Sequence, residues 1–202
     1  MRIVRTEILI RKGSFPNSQA WIRTLSEIES AIRSVEWPPG SGSFTLHDES
    51  GKKRGRGNGV TPIKLNCMAR LKSLGWDLEA KLDIATLKKP GPIDATKRLG
   101  EKYFCVEWET GNISSSHRAL NKMALGILQE VLFGGLLIVP TRKMYDYLTD
   151  RVGNLQELEP YFPLWRTIPV NEGLLGVIAI EHDAVSKDVP RIPKGTSGRA
   201  LA

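Results

Sequence analysis

Pro92-Ile93-Asp94-Ala95-Thr96-Lys97-Arg98-Leu99-Gly100-Glu101-Lys102-Tyr103-Phe104-Cys105-Val106-Glu107-Trp108-Glu109 is the stretch from which the rest of the chain is best read. Its second half alternates apolar with acidic at period two, the pattern of a strand. In a strand Glu107 and Glu109 project from one face. Gly100 marks a tight reversal, so two strands form a hairpin. With the turn centred on Leu99-Gly100, Asp94 is expected opposite Cys105 and diagonal to Glu107, about 7–8 Å away. Three anionic side chains converging on one face repel each other, and a hard divalent cation such as Mg²⁺ offsets that repulsion. An alternating E-x-E is commoner on a solvated face. Here Ile93 and Ala95 bracket the aspartate, and Val106 and Trp108 bracket the glutamates. That setting implies carboxylates at the end of a buried sheet.

The flanking sequence supplies further elements. Residues 3–10 read as a strand. Residues 18–35 read as an amphipathic helix, with Trp21, Leu25, Ile28 and Ile32 at helical spacing. Pro38-Pro39-Gly40 stops it, and residues 41–59 form a Gly/Ser/charged loop. Thr61-Pro62 opens a second helix that ends at Gly75. A short strand is expected over 78–82 and a turn over 88–91. The longest helix spans 113–133, capped by Ser114 to Ser116. Residues 135–139 form a strand apolar on both faces, which predicts the centre of a sheet covered on both sides. A short helix follows over 142–148, then an irregular helical stretch over 155–165 and a last strand over 176–180. The Pro/Gly/Ser-rich tail 189–202 is expected to be mobile.

Composition narrows the class. At 202 residues, 41% hydrophobic and 25% charged, the chain suits one globular domain spanning 1–202. Its net charge of +7 and pI near 9.5 favour an anionic partner, most simply nucleic acid. Cys67 and Cys105 sit in apolar context, as buried free thiols. His47, His117 and His182 lack zinc spacing. Arg2 and Arg5 lead only into Ile8-Leu9-Ile10, too short for a signal peptide, and the longest apolar run, 131–140, is too short to span a bilayer. A cytoplasmic protein without membrane contact is expected.

The pattern of Asp94, a gap of a dozen residues, then Glu107-Trp108-Glu109 resembles the D…E-x-K core of the PD-(D/E)xK nucleases. In particular it resembles the BamHI/BglII-like type II restriction endonucleases. The usual lysine is absent, and Glu109 stands in its place, as in the E-x-E of the BamHI-like branch. Gly111-Asn112 and the helical stretch from Ile113 fit that branch too, so the resemblance covers roughly residues 76–142.

The resemblance implies an α/β fold, a central mixed β-sheet flanked by helices on both faces. It implies a Mg²⁺-dependent nuclease, with Mn²⁺ able to substitute, that acts on duplex DNA. Asp94 and Glu107 would be metal ligands, joined by the backbone carbonyl of Trp108. Glu109 would orient the attacking water or accept its proton. Glu79 is a candidate outer acidic residue. Residues at the offsets of Asn112, Ser114 and Arg118 contact bases in the branch, and Asn and Arg suit base edges. Arg142 and Lys143, after the apolar strand, are a second pair of candidate readers. Lys52, Lys53, Arg54 and Arg56 on a Gly-rich backbone form a candidate phosphate track, ordered on DNA binding. Cutting both strands implies a homodimer on a palindromic site, and the branch implies GATC within it. The alternatives are a nuclease of the same superfamily without sequence choice, acting in repair or on junctions, or a DNA-binding protein without activity.

Overall fold

Leu132–Pro140 is apolar at nearly every position and forms β6, the strand around which the molecule is layered. A strand buried on both faces cannot alternate with polar residues, and this one does not. The computed structural model describes residues 1–52, 55–84, 91–149 and 152–194. Six strands make one sheet: β1 (Arg2–Lys12), β3 (Asp77–Ala80), β4 (Ile93–Leu99), β5 (Lys102–Trp108), β6 and β7 (Gly173–Glu181). Their order is β1-β7-β6-β5-β4-β3. The centre, β5, β6 and β7, is parallel, β1 and β4 run antiparallel to it, and edge strand β3 is antiparallel to β4. This is the expected mixed sheet.

Alternate residues of β6 feed two cores. Leu136 and Ile138 pack with Trp21, Ile28 and Ile32 of α1 (Gln19–Arg33) and with Ile63, Met68 and Leu71 of α2 (Thr61–Ser73). Leu137 and Val139 pack with Leu120, Met123 and Ile127 of α3 (Ile113–Leu128), and with the short helices α5 (Leu155–Leu158) and α6 (Phe162–Arg166). Close approach of α3 requires Gly135, where a Cβ would lie 2.4 Å from the Met123 sulfur. Both cysteines are free and buried, and burial pushes the Cys67 thiol up to about 12. No helix among the described residues is long and apolar enough to cross a membrane.

Several boundaries differ from expectation for identifiable reasons. The hairpin turn is Gly100-Glu101, because Leu99 pairs with Lys102 and Ala95 with Val106. Gly100 has φ +66°, at the first central position where a glycine-first two-residue hairpin needs it. Continuing this register by one pair sets Asp94 directly beside Glu107, not diagonal to it. Helix α3 ends at Leu128, not 133. Glu130 takes a left-handed φ of +60°, the Val131 N–H bonds the Gly126 carbonyl, and the Glu130 N–H bonds that of Ile127. That is a Schellman closure built on glutamate instead of the usual glycine. The cap at the other end of α3 is Asn112, whose Oδ1 accepts from the Ser114 N–H at 3.0 Å.

The segment 41–59, expected as a loop, contributes β2 (Thr45–His47), parallel to β8 (Ala184–Ser186), and buries Phe44 and Leu46 completely. Residues 189–194 of the expected mobile tail dock on it. Ile192 is buried, its carbonyl accepts from the Gly59 N–H, and Pro190 accepts from Trp37 Nε1 at 2.7 Å. Residues 53–54, most of the expected turn at 88–91, and 195–202 lie outside the described residues. Fully buried Asn58 staples these segments. Its Oδ1 accepts from the His47 and Ile192 N–H groups, each at 3.3 Å, and its Nδ2 donates to the His47 and Tyr147 carbonyls, each at 3.0 Å. Asn58→Ala leaves buried backbone groups without partners and is expected to lower stability by about 3 kcal/mol in urea unfolding. A loss below about 0.5 kcal/mol would show that the staple carries no weight.

Candidate active site

β4 begins where β5 ends, so the hairpin brings Asp94 to the carboxyl end of the parallel strands, where open α/β sheets bind their ligands. Asp94 Oδ2 accepts from the Trp108 N–H at 2.8 Å, which ties the aspartate to the residue between the two glutamates. The Asp94 N–H faces Glu107 Oε2 at 3.4 Å. On its other side, Asp94 Oδ1 is in contact with Lys64 Nζ, which reaches across from α2. The same ammonium lies 3.7 Å from Glu79 Oε1, on a backbone with φ +53°.

Glu109 points elsewhere in the same cleft. One carboxylate oxygen accepts from the Gly111 N–H at 2.5 Å, and the other accepts from the Ser116 hydroxyl. Ser116 is fully buried beneath Gly153, where a Cβ would come 2.4 Å from its oxygen. The three carboxylates therefore do not converge. Asp94 and Glu107 meet, and Glu109 is bonded to the first turn of α3. Among the described residues no group of three or more His, Cys, Asp or Glu side chains is placed to hold a metal ion.

Electrostatics single out Glu107. Burial, and then the charge of Asp94, push its carboxyl up to about 8, against the weaker pull of Lys122 and Lys64. Among the described residues no Lys or Arg forms an ion pair with it. A half-buried carboxylate beside a buried one, with no ion-paired cation of its own among the described residues, fits a hard divalent ion held by two carboxylates and a backbone carbonyl. Burial also raises Glu109, and the Ser116 hydroxyl and Gly111 N–H draw it back down.

The cleft has a volume of about 970 Å³ and runs from Lys64, Asp94 and Glu107 along α3 past Ser114, Arg118 and Lys122. Asn112, Ser114 and Arg118 are exposed at the start of that helix. The candidates Arg142 and Lys143 lie outside the cleft, on α4 (Arg142–Tyr145), after β6. Arg142 stacks 4.3 Å over the Tyr145 ring, and Lys143 bonds Glu181 at 2.9 Å. Lys52 lies 3.8 Å from Asp146, Arg56 is exposed, and Lys53 and Arg54 are outside the described residues. His117 packs on Tyr161 and Trp165.

Sequence reasoning did not find Lys64 or Ser116. Lys64 sits on a helix far from the acidic motif in the chain, and nothing in Pro62-Ile63-Lys64-Leu65 marks it. Ser114, Ser115 and Ser116 are indistinguishable until burial separates them.

The family described as restriction endonuclease BamHI matches residues 1–199. The type II restriction enzyme OkrAI of Oceanobacter kriegii is 51% identical over 201 residues, covering 100% of both chains. The type II restriction enzyme BamHI of Bacillus amyloliquefaciens is 39% identical over 180 residues, covering 86% of this chain and 80% of that enzyme. Among solved structures, the restriction endonuclease BglII complexed with a DNA 16-mer matches with a TM-score of 0.56 at 10% identity. That match covers 89% of this chain and 79% of BglII, a likeness of fold.

The raised carboxyl of Glu107 sets a pH dependence. Its folded value of about 8 lies above the ordinary 4.5, so the folded state holds this proton more tightly than the unfolded chain. Its contribution is therefore favourable below about pH 4.5 and is lost as pH rises through about 8. In chelator, Glu107→Gln is expected to gain thermal stability relative to the unsubstituted protein as pH rises from about 5 to 8.5. A difference in Tm that stays constant over that range would contradict the assignment.

Proposed function

The chain belongs to the BamHI family of type II restriction endonucleases, and on that premise we propose that it cuts duplex DNA at a short palindromic site with Mg²⁺ held by Asp94 and Glu107. The observation that carries this reading is the pair itself: two adjacent carboxylates, one without an ion-pair partner among the described residues, at the mouth of a large cleft lined by a basic helix. In this reading the Trp108 carbonyl is a third ligand and Mn²⁺ substitutes for Mg²⁺. The divalent ion would offset the charge of the phosphodiester and lower the pKa of a bound water.

The protein's own groups divide the remaining work. The Trp108 N–H fixes the Asp94 carboxylate, so one of its oxygens stays directed at the cleft. Glu109, held at both oxygens, orients the attacking water or accepts its proton. Glu79 stays at the edge of the site, linked to it through Lys64. Asn112 uses its Oδ1 as a cap, which directs its amide NH₂ outward as a donor to a base edge. Ser114 and Arg118 read bases beside it. Arg142 and Lys143, which lie outside the cleft, are the second pair of candidate base readers, and Lys52, Lys53, Arg54 and Arg56 contact backbone phosphates. The DNA in the BglII complex supports a DNA partner. A homodimer gives one active site per strand, the branch suggests GATC within the target, and the cytoplasm is the expected compartment.

Plasmid DNA incubated with the protein and Mg²⁺ is expected to give discrete fragments with identical palindromic ends. Chelator should abolish them, and Asp94→Ala should reduce the rate about a thousandfold or more. Smeared products would favour a nuclease without sequence choice. Cleavage by Asp94→Ala at the full rate would remove Asp94 from the mechanism.

A further inference from the structure

Lys64 is the feature the mechanism leaves unused. It lies in the opening turns of α2, the positive end of a helix with no acidic residue in its first turn. A cation is disfavoured there by the helix dipole. Its side chain is only 18% exposed, and the aspartate it contacts only 11%. The carboxylates hold it in place: Asp94 in direct contact, and Glu79, which is 60% exposed, 3.7 Å away. We propose that Lys64 is an intramolecular placeholder for the divalent cation, seated on Asp94 when the metal is absent and displaced toward Glu79 when it enters.

The inference rests on the reading of Asp94 and Glu107 as the metal pair. A divalent ion shared by those two carboxylates and an ammonium in contact with one of them repel each other at close range. The ammonium must withdraw from the Asp94 oxygen, and Glu79 is already within reach as its next partner. A lysine suits this exchange, being a compact point charge on a flexible stem, where a forked guanidinium would stay locked. Two consequences follow. Without metal, Lys64 supports a buried acidic pair that would otherwise be uncompensated. With metal, it is a competitor, so the free protein takes up the ion weakly. An arriving phosphodiester, which offers the displaced ammonium a further anion, strengthens the uptake.

Thermal unfolding of the full-length protein without DNA, in chelator and across a Mg²⁺ series, tests this. Lys64→Met is compared with the unsubstituted protein and with Asp94→Asn. Lys64→Met is expected to unfold several degrees lower in chelator, and its half-effective Mg²⁺ concentration is expected to be about tenfold lower. Loss of a lysine that only organises the carboxylates would leave the half-effective Mg²⁺ concentration unchanged or raise it. An unchanged Tm in chelator, or an equal or higher half-effective Mg²⁺, overturns the placeholder role. If Lys64→Met folds only with Mg²⁺, that dependence meets the expectation. If it folds in neither condition, Lys64→Arg decides the matter: it keeps the charge and should hold the chelator Tm, and loss of that Tm overturns the proposal. Failure of the metal reading looks different. There, neither the unsubstituted protein nor Lys64→Met responds to Mg²⁺. A response that Asp94→Asn abolishes, with Lys64→Met like the unsubstituted protein, leaves the metal pair standing and removes only the placeholder.

Discussion

Two carboxylates, Asp94 and Glu107, are forced side by side at the buried end of a hairpin, and their repulsion is the constraint that the rest of the molecule answers. Neither can turn away. Asp94 is bonded to the backbone of the neighbouring strand, and Glu107 emerges from a strand whose flanking residues lie in the cores. The sheet keeps them together because β5 is paired on both sides, antiparallel to β4 and parallel to β6. A site held this way is organised before any ligand arrives, and the residual electrostatic stress is relieved by a proton on Glu107 or by a neighbouring cation.

The positive charge comes from both layers of the fold. Lys64 reaches in from α2 on one face, and Lys122 of α3, hydrogen-bonded to the Gly91 carbonyl, draws Glu107 down from the other. Helix α3 has a second task. Its first turn holds Glu109 through Gly111 and Ser116, and the same turn presents Asn112, Ser114 and Arg118 to the cleft. A shift of that turn to fit a base edge would move Glu109 with it. Loop–helix geometry thus joins the residues proposed to read DNA to the one proposed to handle the water.

Much of this was legible in the sequence where one physical pattern dominated. The apolar run of β6 announced a covered central strand, the 3.6-residue period of α1 announced its buried face, and the acidic residues of β4 and β5 pointed to the adjacent carboxylates of the candidate site, though not to the separate placing of Glu109. Misreadings came where tertiary context replaced the usual signal. Glu130 ends α3 in a conformation normally marked by glycine. Phe44, Leu46 and Ile192 are isolated apolar residues in polar surroundings, and only the folded chain brings them together. The hairpin register differs by two residues because Gly100 is the first central residue of a turn with Glu101, not the second of a turn with Leu99. Lys64 was invisible for a different reason: its importance arises from a contact 30 positions away along the chain.

Anomalous scattering from Mn²⁺ in crystals of the protein with a cleavable duplex tests the central claim most directly. The account predicts a peak about 2 Å from carboxylate oxygens of both Asp94 and Glu107. A peak bound elsewhere, with Asp94 still seated on Lys64 and Glu107 untouched, would contradict it.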